Sequence, residues 1–177
     1  RKHKFHVGLF DDVAKGNFEG VKKRLDDHPD AISAVLNGQT LLGASIGKGN
    51  PELVRLLIER GSDVNGTLPN GYSPLFVACI NKDTESAQML IKKGANLEYT
   101  SPEGFSPLMA ACHSGSTEIV ELLLSYDVNM NHKDGEYGMT ALHIAARISN
   151  PWITRMLLEK GMPPDVGDYK QVTPLGV

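Results

Sequence analysis

The sequence predicts an all-α fold, a solenoid of stacked helix–turn–helix units with short hairpin-like fingers. Three observations predict it. Hydroxyl residues recur at a fixed step: Thr40 to Ser73 is 33 residues, Ser73 to Ser106 is 33, Ser106 to Thr140 is 34, and Thr140 to Thr173 is 33. A second marker keeps that step, since Gly61 and Gly94 are 33 apart, Asp127 lies 33 further and Gly161 lies 34 beyond. Aromatic residues are only 6% of the chain, low for a sandwich or barrel rich in strands. Self-similarity at such a period marks a repeat architecture, and both markers place one inserted residue between Asp127 and Gly138.

The units follow in order. The first spans about residues 5–34, with Leu9, Phe10, Val13, Ala14, Val21 and Leu25 as its apolar face. It is mildly basic (Lys15, Lys22, Lys23 and Arg24, after Arg1, Lys2 and Lys4), and Arg24 sits where later units carry Leu. That suits a solvated N-terminal cap on a stack. Four further units cover about 35–67, 68–100, 101–134 and 135–167, and a sixth begins at 168–177.

Within each later unit the helix boundaries can be read directly. Thr40, Ser73, Ser106, Thr140 and Thr173 have N-cap chemistry, because a short side-chain oxygen accepts from a free N–H of the first turn. Pro74, Pro107 and Pro174 follow at the first helical position, where a missing N–H costs nothing. Small and apolar residues come next, as in Leu75 to Cys79 and Leu108 to Cys112. A second cap then restarts the chain at Asn17, Asn50, Asp83, Ser116 and Asn150, with Pro51 and Pro151 again just inside. The second helices carry apolar residues at helical spacing, such as Leu53, Val54, Leu56 and Leu57. Gly61, Gly94 and Gly161 end them as C-terminal glycines do. Asp127 replaces that Gly and is expected to take the left-handed conformation less comfortably. Helices of about eight to ten residues are too short to stand alone, so each must stack on its neighbours.

Composition removes other classes. The 177 residues are 41% hydrophobic and 22% charged, enough apolar material for a core and against wholesale disorder. That length points to a single domain. The formal charge is −3, from 18 Lys and Arg against 21 Asp and Glu, which disfavours a general nucleic-acid binder. The longest apolar run, Leu75 to Ile80, is too short to cross a bilayer. Arg1 to Lys4 is basic but no long apolar stretch follows, so no secretory signal is read. The chain starts without Met and ends in the opening of a unit; it is expected to be a piece of a longer protein.

These motifs resemble the ankyrin repeat, marked by its 33-residue period and its Thr-Pro-Leu-His-x-Ala start. Here the starts read Ser73-Pro74-Leu75-Phe76-Val77-Ala78, Ser106-Pro107-Leu108-Met109-Ala110-Ala111 and Thr140-Ala141-Leu142-His143-Ile144-Ala145. The endings Gly61-Ser62-Asp63-Val64-Asn65 and Gly94-Ala95-Asn96-Leu97-Glu98 also fit, and the likeness runs from about Gly8 to Val177. Only His143 keeps the motif His; Gly43, Phe76 and Met109 replace it, and the hydrogen bonds that His makes in the family are not expected there. The resemblance implies a domain that binds other proteins, with hairpin tips and first helices lining a concave groove.

Projected onto that geometry, the residue before each Ser/Thr cap faces the groove: Gln39, Tyr72, Phe105, Met139, Val172. Tyr72, Phe105 and Met139 would form an exposed apolar stripe, the kind of patch that marks a partner site. The competing reading folds these side chains over the hairpin to pack. The ends of the first helices give a second row, with Ile80 and Ile148 beside His113 and Arg147 as polar selectors. Lys48, Asn81 and Ser114 adjoin it; helix-end Ile is also often core. The hairpin tips add Glu103, Tyr137 and Tyr169, with Asn70, Glu136 and Lys170, and the inserted residue near Lys133 to Tyr137 is expected to make that finger protrude.

Other chemistry is weakly represented. Cys79 and Cys112, 33 apart, read as one small buried position repeated rather than a metal or redox pair. Cys112 and His113 are helix neighbours and point about 100° apart, so they make no thiol–imidazole pair. No phosphate-cradling Gly-rich loop and no nucleophile–base–orienter set is present. The expectation is a non-catalytic protein-binding module without cofactor or metal, monomeric as a fragment, in the cytoplasm or nucleus, where two Cys can stay reduced. The alternative is a targeting or regulatory segment of a larger enzyme, scaffold or channel that docks on other parts of its own chain.

Overall fold

The structure is a computed structural model and describes residues 1–161. Among the described residues its regular structure is helical, apart from one two-stranded hairpin. The chain divides into two compact units, Arg1–Ala78 with Glu85–Asn96, and Cys79–Thr84 with the residues from Leu97 on.

In the first unit, α1 (Lys2–Ala14) packs against α2 (Phe18–Asp27), and a 3-10 turn follows at Pro29–Ser33. β1 (Val35–Leu36) and β2 (Gln39–Thr40) pair antiparallel, Val35 opposite Thr40. Asn37 and Gly38 turn the hairpin with φ of 53° and 77°, the two left-handed residues that a tight hairpin turn demands. α3 (Leu41–Gly47) packs on α1 and on α4 (Pro51–Glu59), and α4 packs on α2. Arg60 reaches Asp26 at 2.7 Å, tying those outer helices together. α5 (Pro74–Ile80) and α6 (Thr84–Lys92) come next, and Arg55 of α4 pairs with Glu85 of α6. In the second unit, α7 (Pro107–Ser114) packs on α8 (Thr117–Leu124) and on α9 (Ala141–Arg147), while α10 (Pro151–Glu159) packs on α9 and α8.

The caps do what their chemistry requires. Thr40, Ser73, Ser106 and Thr140 accept from the backbone N–H three residues on, at 2.9, 3.1, 3.2 and 3.4 Å. Asn17, Asn50, Ser116 and Asn150 repeat the bond on the second helices at 3.1, 3.2, 3.4 and 3.1 Å. The residue before each second cap is left-handed in every unit: Gly16, Gly49, Lys82, Gly115 and Ser149. A left-handed residue is what reverses the chain between two short antiparallel helices. At Lys82 and Ser149 the fold holds it without glycine, at a strain of about 1–2 kcal/mol.

Two sequence expectations change here. Asp127 is not left-handed, although Gly61, Gly94 and Gly161 are. α8 instead closes with Tyr126 N–H on the Leu123 carbonyl at 3.1 Å and Val128 N–H on that of Tyr126 at 3.0 Å. A tighter exit therefore replaces the left-handed one, and no strain falls on Asp127. The first helices are also shorter than expected, with seven residues in α3, α5 and α9.

The motif His behaves as its family position implies. Thr140 N–H donates to His143 Nδ1 at 3.1 Å, and the two side chains meet at 2.8 Å. Where Met109 stands instead, its Sδ takes the Ser106 N–H at 3.5 Å. Where Gly43 stands, the Gln39 side chain fills the space a side chain would occupy. Phe76 forms no such bond and packs against Tyr72.

Candidate partner-binding surface

The fingers are closed by a local backbone pair. Leu68 N–H bonds the Tyr72 carbonyl and Ser101 N–H bonds the Phe105 carbonyl, each at 2.9 Å and four residues apart. In the last described finger Asp134 N–H bonds the Met139 carbonyl at 3.0 Å, five residues apart, which is where the inserted residue lies. The insertion lies inside that closed turn, which is one residue longer than the other two. Asp134 is only 2% exposed, and its carboxylate accepts from the N–H of Met139 at 2.6 Å, Tyr137 at 3.1 Å and Glu136 at 3.3 Å. Adjacent fingers are tied by His132 Nε2 against the Gly104 carbonyl at 2.7 Å.

These closures decide the fate of the finger residues. Tyr72 is half-buried and lies on Phe76, ring centroids 5.0 Å apart, so its face is spent largely on the chain itself. Phe105 is half-buried. Met139 is a correction: it is 6% exposed, drawn into the core by the bonds of its N–H and carbonyl to Asp134. A side chain so covered offers a partner little, and the three residues do not form an exposed stripe.

The second row fares differently. Ile80, His113 and Arg147 hold the same register at the ends of α5, α7 and α9, and all three are exposed, Ile80 to 40%. Ser114 Oγ donates to the Cys79 carbonyl at 2.8 Å, which sets the ends of α5 and α7 side by side, and α9 packs on α7. Ile148 is half-buried. Glu103 is exposed and Tyr137 half-buried. The Tyr137 phenol is pushed above its ordinary range by its hydrogen bond to Glu136 and that carboxylate's charge, with Arg147 opposing. Tyr169, with Lys170, Val172, Thr173 and the unit begun at 168, lies outside the described residues.

The arginines differ in what they hold. Arg24 pairs with Asp12 at 2.7 Å, Arg55 with Glu85, and Arg60 with Asp26. Arg147 forms no ion pair among the described residues. The thiols of Cys79 and Cys112 are free and buried, and burial pushes both well above the ordinary thiol range. Such a thiol is a poor nucleophile. Among the described residues no group of His, Cys, Asp and Glu is clustered to hold a metal ion, and no helix is long and apolar enough to cross a membrane.

Sequence reasoning missed Trp152, which is 66% exposed on α10 with the Arg155 guanidinium 5.6 Å from its ring. The signal was there in the register. Glu19, Glu52, Glu85 and Glu118 occupy its place in the other units, all exposed.

The ankyrin-repeat family model (3 copies) matches residues 9–101 and 94–168. No curated protein matches the chain.

Proposed function

We propose that this chain, which belongs to the ankyrin-repeat family, is a single non-catalytic domain that binds a partner protein through the finger side of its repeats. Ankyrin repeats are generally protein–protein interaction modules. The observation that carries the finer reading is the row of Ile80, His113 and Arg147, one residue per repeat in one register and all exposed. Such a row offers an apolar contact at one end and a cation at the other. Phe105, Tyr137 and Ile148 are half-buried and Glu103 is exposed in the same compact unit. Two unpaired buried thiols suit a reducing compartment, cytoplasm or nucleus.

The test is a paired capture from cell lysate read by mass spectrometry. One bait is the chain; the other carries Ile80→Ser, Phe105→Ala and His113→Ala. Circular dichroism checks that the second bait is folded. A partner held by the first bait and lost by the second supports the reading. Equal capture by both moves the site off this row.

A further inference from the structure

We infer that Asn37, at the tip of the β1–β2 hairpin, is a site of self-modification: the Gly38 nitrogen closes on its side chain, and the residue becomes aspartate and isoaspartate. The reaction needs water and no partner.

The chemistry belongs to the Asn-Gly pair. The backbone nitrogen after an asparagine can attack the side-chain carbonyl carbon, and glycine has no Cβ to obstruct the approach. At Asn37 the bond from Gly38 N to Cγ forms and the Cγ–Nδ2 bond breaks. Ammonia leaves, carrying the proton that the Gly38 nitrogen gives up. A five-membered cyclic imide remains, and water opens it. Attack at Cγ gives aspartate. Attack at the Asn37 main-chain carbonyl carbon gives isoaspartate, whose backbone runs through the side chain and is longer by a methylene.

The sequence offers three such pairs, Asn37-Gly38, Asn65-Gly66 and Asn70-Gly71. Asn37, Asn65 and Asn70 are all exposed, so exposure does not separate them. Hydrogen bonding does. Asn65 Nδ2 donates to the Gly94 carbonyl at 3.3 Å, its Oδ1 accepts from the Asn96 N–H at 2.8 Å, and the Gly66 N–H is held on the Asp63 carbonyl at 3.2 Å. Asn70 Oδ1 accepts from the Tyr72 N–H at 3.1 Å, and the Gly71 N–H is held on the Leu68 carbonyl at 2.9 Å. At the first pair, among the described residues, neither the Asn37 side chain nor the Gly38 N–H takes a hydrogen bond. Attacker and target are thus both engaged in two of the pairs and both free in one.

The cause lies in the turn. Asn37 and Asn70 stand 33 apart in one register, yet Asn37 is left-handed at φ 53° and Asn70 is not. Ring closure also needs the tip to rotate. Around Gly38 there is room, since a Cβ built there would have only Pro69 Cγ within reach, at 3.9 Å. The restraint is the pairing of Leu36 with Gln39 and Val35 with Thr40, and a hairpin so short holds weakly by itself. Isoaspartate would lengthen the turn that sets this register and place a carboxylate at the tip.

The whole chain is aged in mildly alkaline buffer, with and without urea, then digested with trypsin and read by mass spectrometry. Leu25–Lys48 carries Asn37 and no other Asn, whereas Gly61–Lys82 carries Asn65 and Asn70. Isoaspartate is read separately by methyl transfer with an added isoaspartyl methyltransferase. In the native chain Asn37 should convert about tenfold or more faster than Asn65 or Asn70, whose bonds must open first. In urea the three rates should converge. Asn37→Gln closes the larger ring poorly and should remove most of the native isoaspartate signal, with circular dichroism unchanged. The assignment is overturned if Asn37 keeps its amide in the native chain while converting in urea, or if Asn65 or Asn70 keeps pace with it natively. An equal lead for Asn37 in urea would trace the effect to sequence and overturn the structural argument. A native isoaspartate signal that survives Asn37→Gln would overturn it as well.

Discussion

Asp134 is the residue whose loss should cost the fold most for its size. Its carboxylate is buried at 2% exposure and accepts three backbone N–H groups, the shortest at 2.6 Å from Met139. Replacing it by Ala strands the Met139 N–H inside the protein, since Met139 is itself 6% exposed. An unsatisfied buried donor costs about 1–3 kcal/mol. The N–H groups of Glu136 and Tyr137 lie on exposed and half-buried residues and can turn to water, losing about 0.5 kcal/mol each. Asp134→Ala should therefore cost about 2–4 kcal/mol. Asp134→Ser should cost about half as much, because Ser101 at the matching place in the preceding finger already caps Phe105 N–H at 3.2 Å with its hydroxyl. Urea titration followed by far-UV circular dichroism reads both. With an m-value of about 2 kcal/mol/M, the Ala midpoint should fall by about 1–2 M at unchanged m. The reasoning fails if Ala lies within about 0.5 kcal/mol of wild type, or if Ser is as costly as Ala.

The other predictions concern the backbone, the thiols and the exposed aromatic. Gly104→Ala should destabilise by about 2 kcal/mol or more, because φ is 88° and a Cβ would sit 2.9 Å from the Gly135 backbone N. Gly94→Ala, at φ 93° with open space around it, should cost only about 1 kcal/mol in the same titration. Cys79 and Cys112 are held protonated by burial, so above pH about 9 the unfolded chain binds fewer protons than the native one and stability must fall. The slope is about 1.4 kcal/mol per pH unit per thiol, and urea midpoints of wild type and of Cys79→Ala with Cys112→Ala should diverge in that window; parallel curves would refute it. Trp152→Glu should leave stability within about 0.5 kcal/mol of wild type, since a helix-dipole gain of about 0.3–1 kcal/mol offsets a lost cation–π contact of similar size. A clear loss would make Trp152 a structural residue.

The architecture was legible because its determinants are local and repeated. Thr40, Ser73, Ser106 and Thr140 announce their helices through one hydrogen bond each, made to a residue three positions on. What was not legible depends on bonds that one unit makes and the others do not. Met139 reads as a groove residue by register, yet a carboxylate five residues earlier folds it inward. Asp127 reads as a strained Gly substitute, yet the helix before it ends differently and the left-handed residue is not made. In both cases the repeat is the right template, and one changed partner redirects the chain.

That contrast gives a way to separate structure from function along this chain. Each register position carries an expectation taken from the other repeats, and a departure from it either is compensated inside the fold or is not. Asp134 departs from the Ser101 pattern in the same finger that holds an extra residue, and its three bonds account for both. Met109 departs from His143 and its sulfur takes over the N–H. Trp152 departs from four exposed Glu residues, and two thirds of it stays in water with the Arg155 guanidinium 5.6 Å from its ring. A helix start gains nothing from exposing an indole. Of these departures, Trp152 is the one that no hydrogen bond among the described residues accounts for.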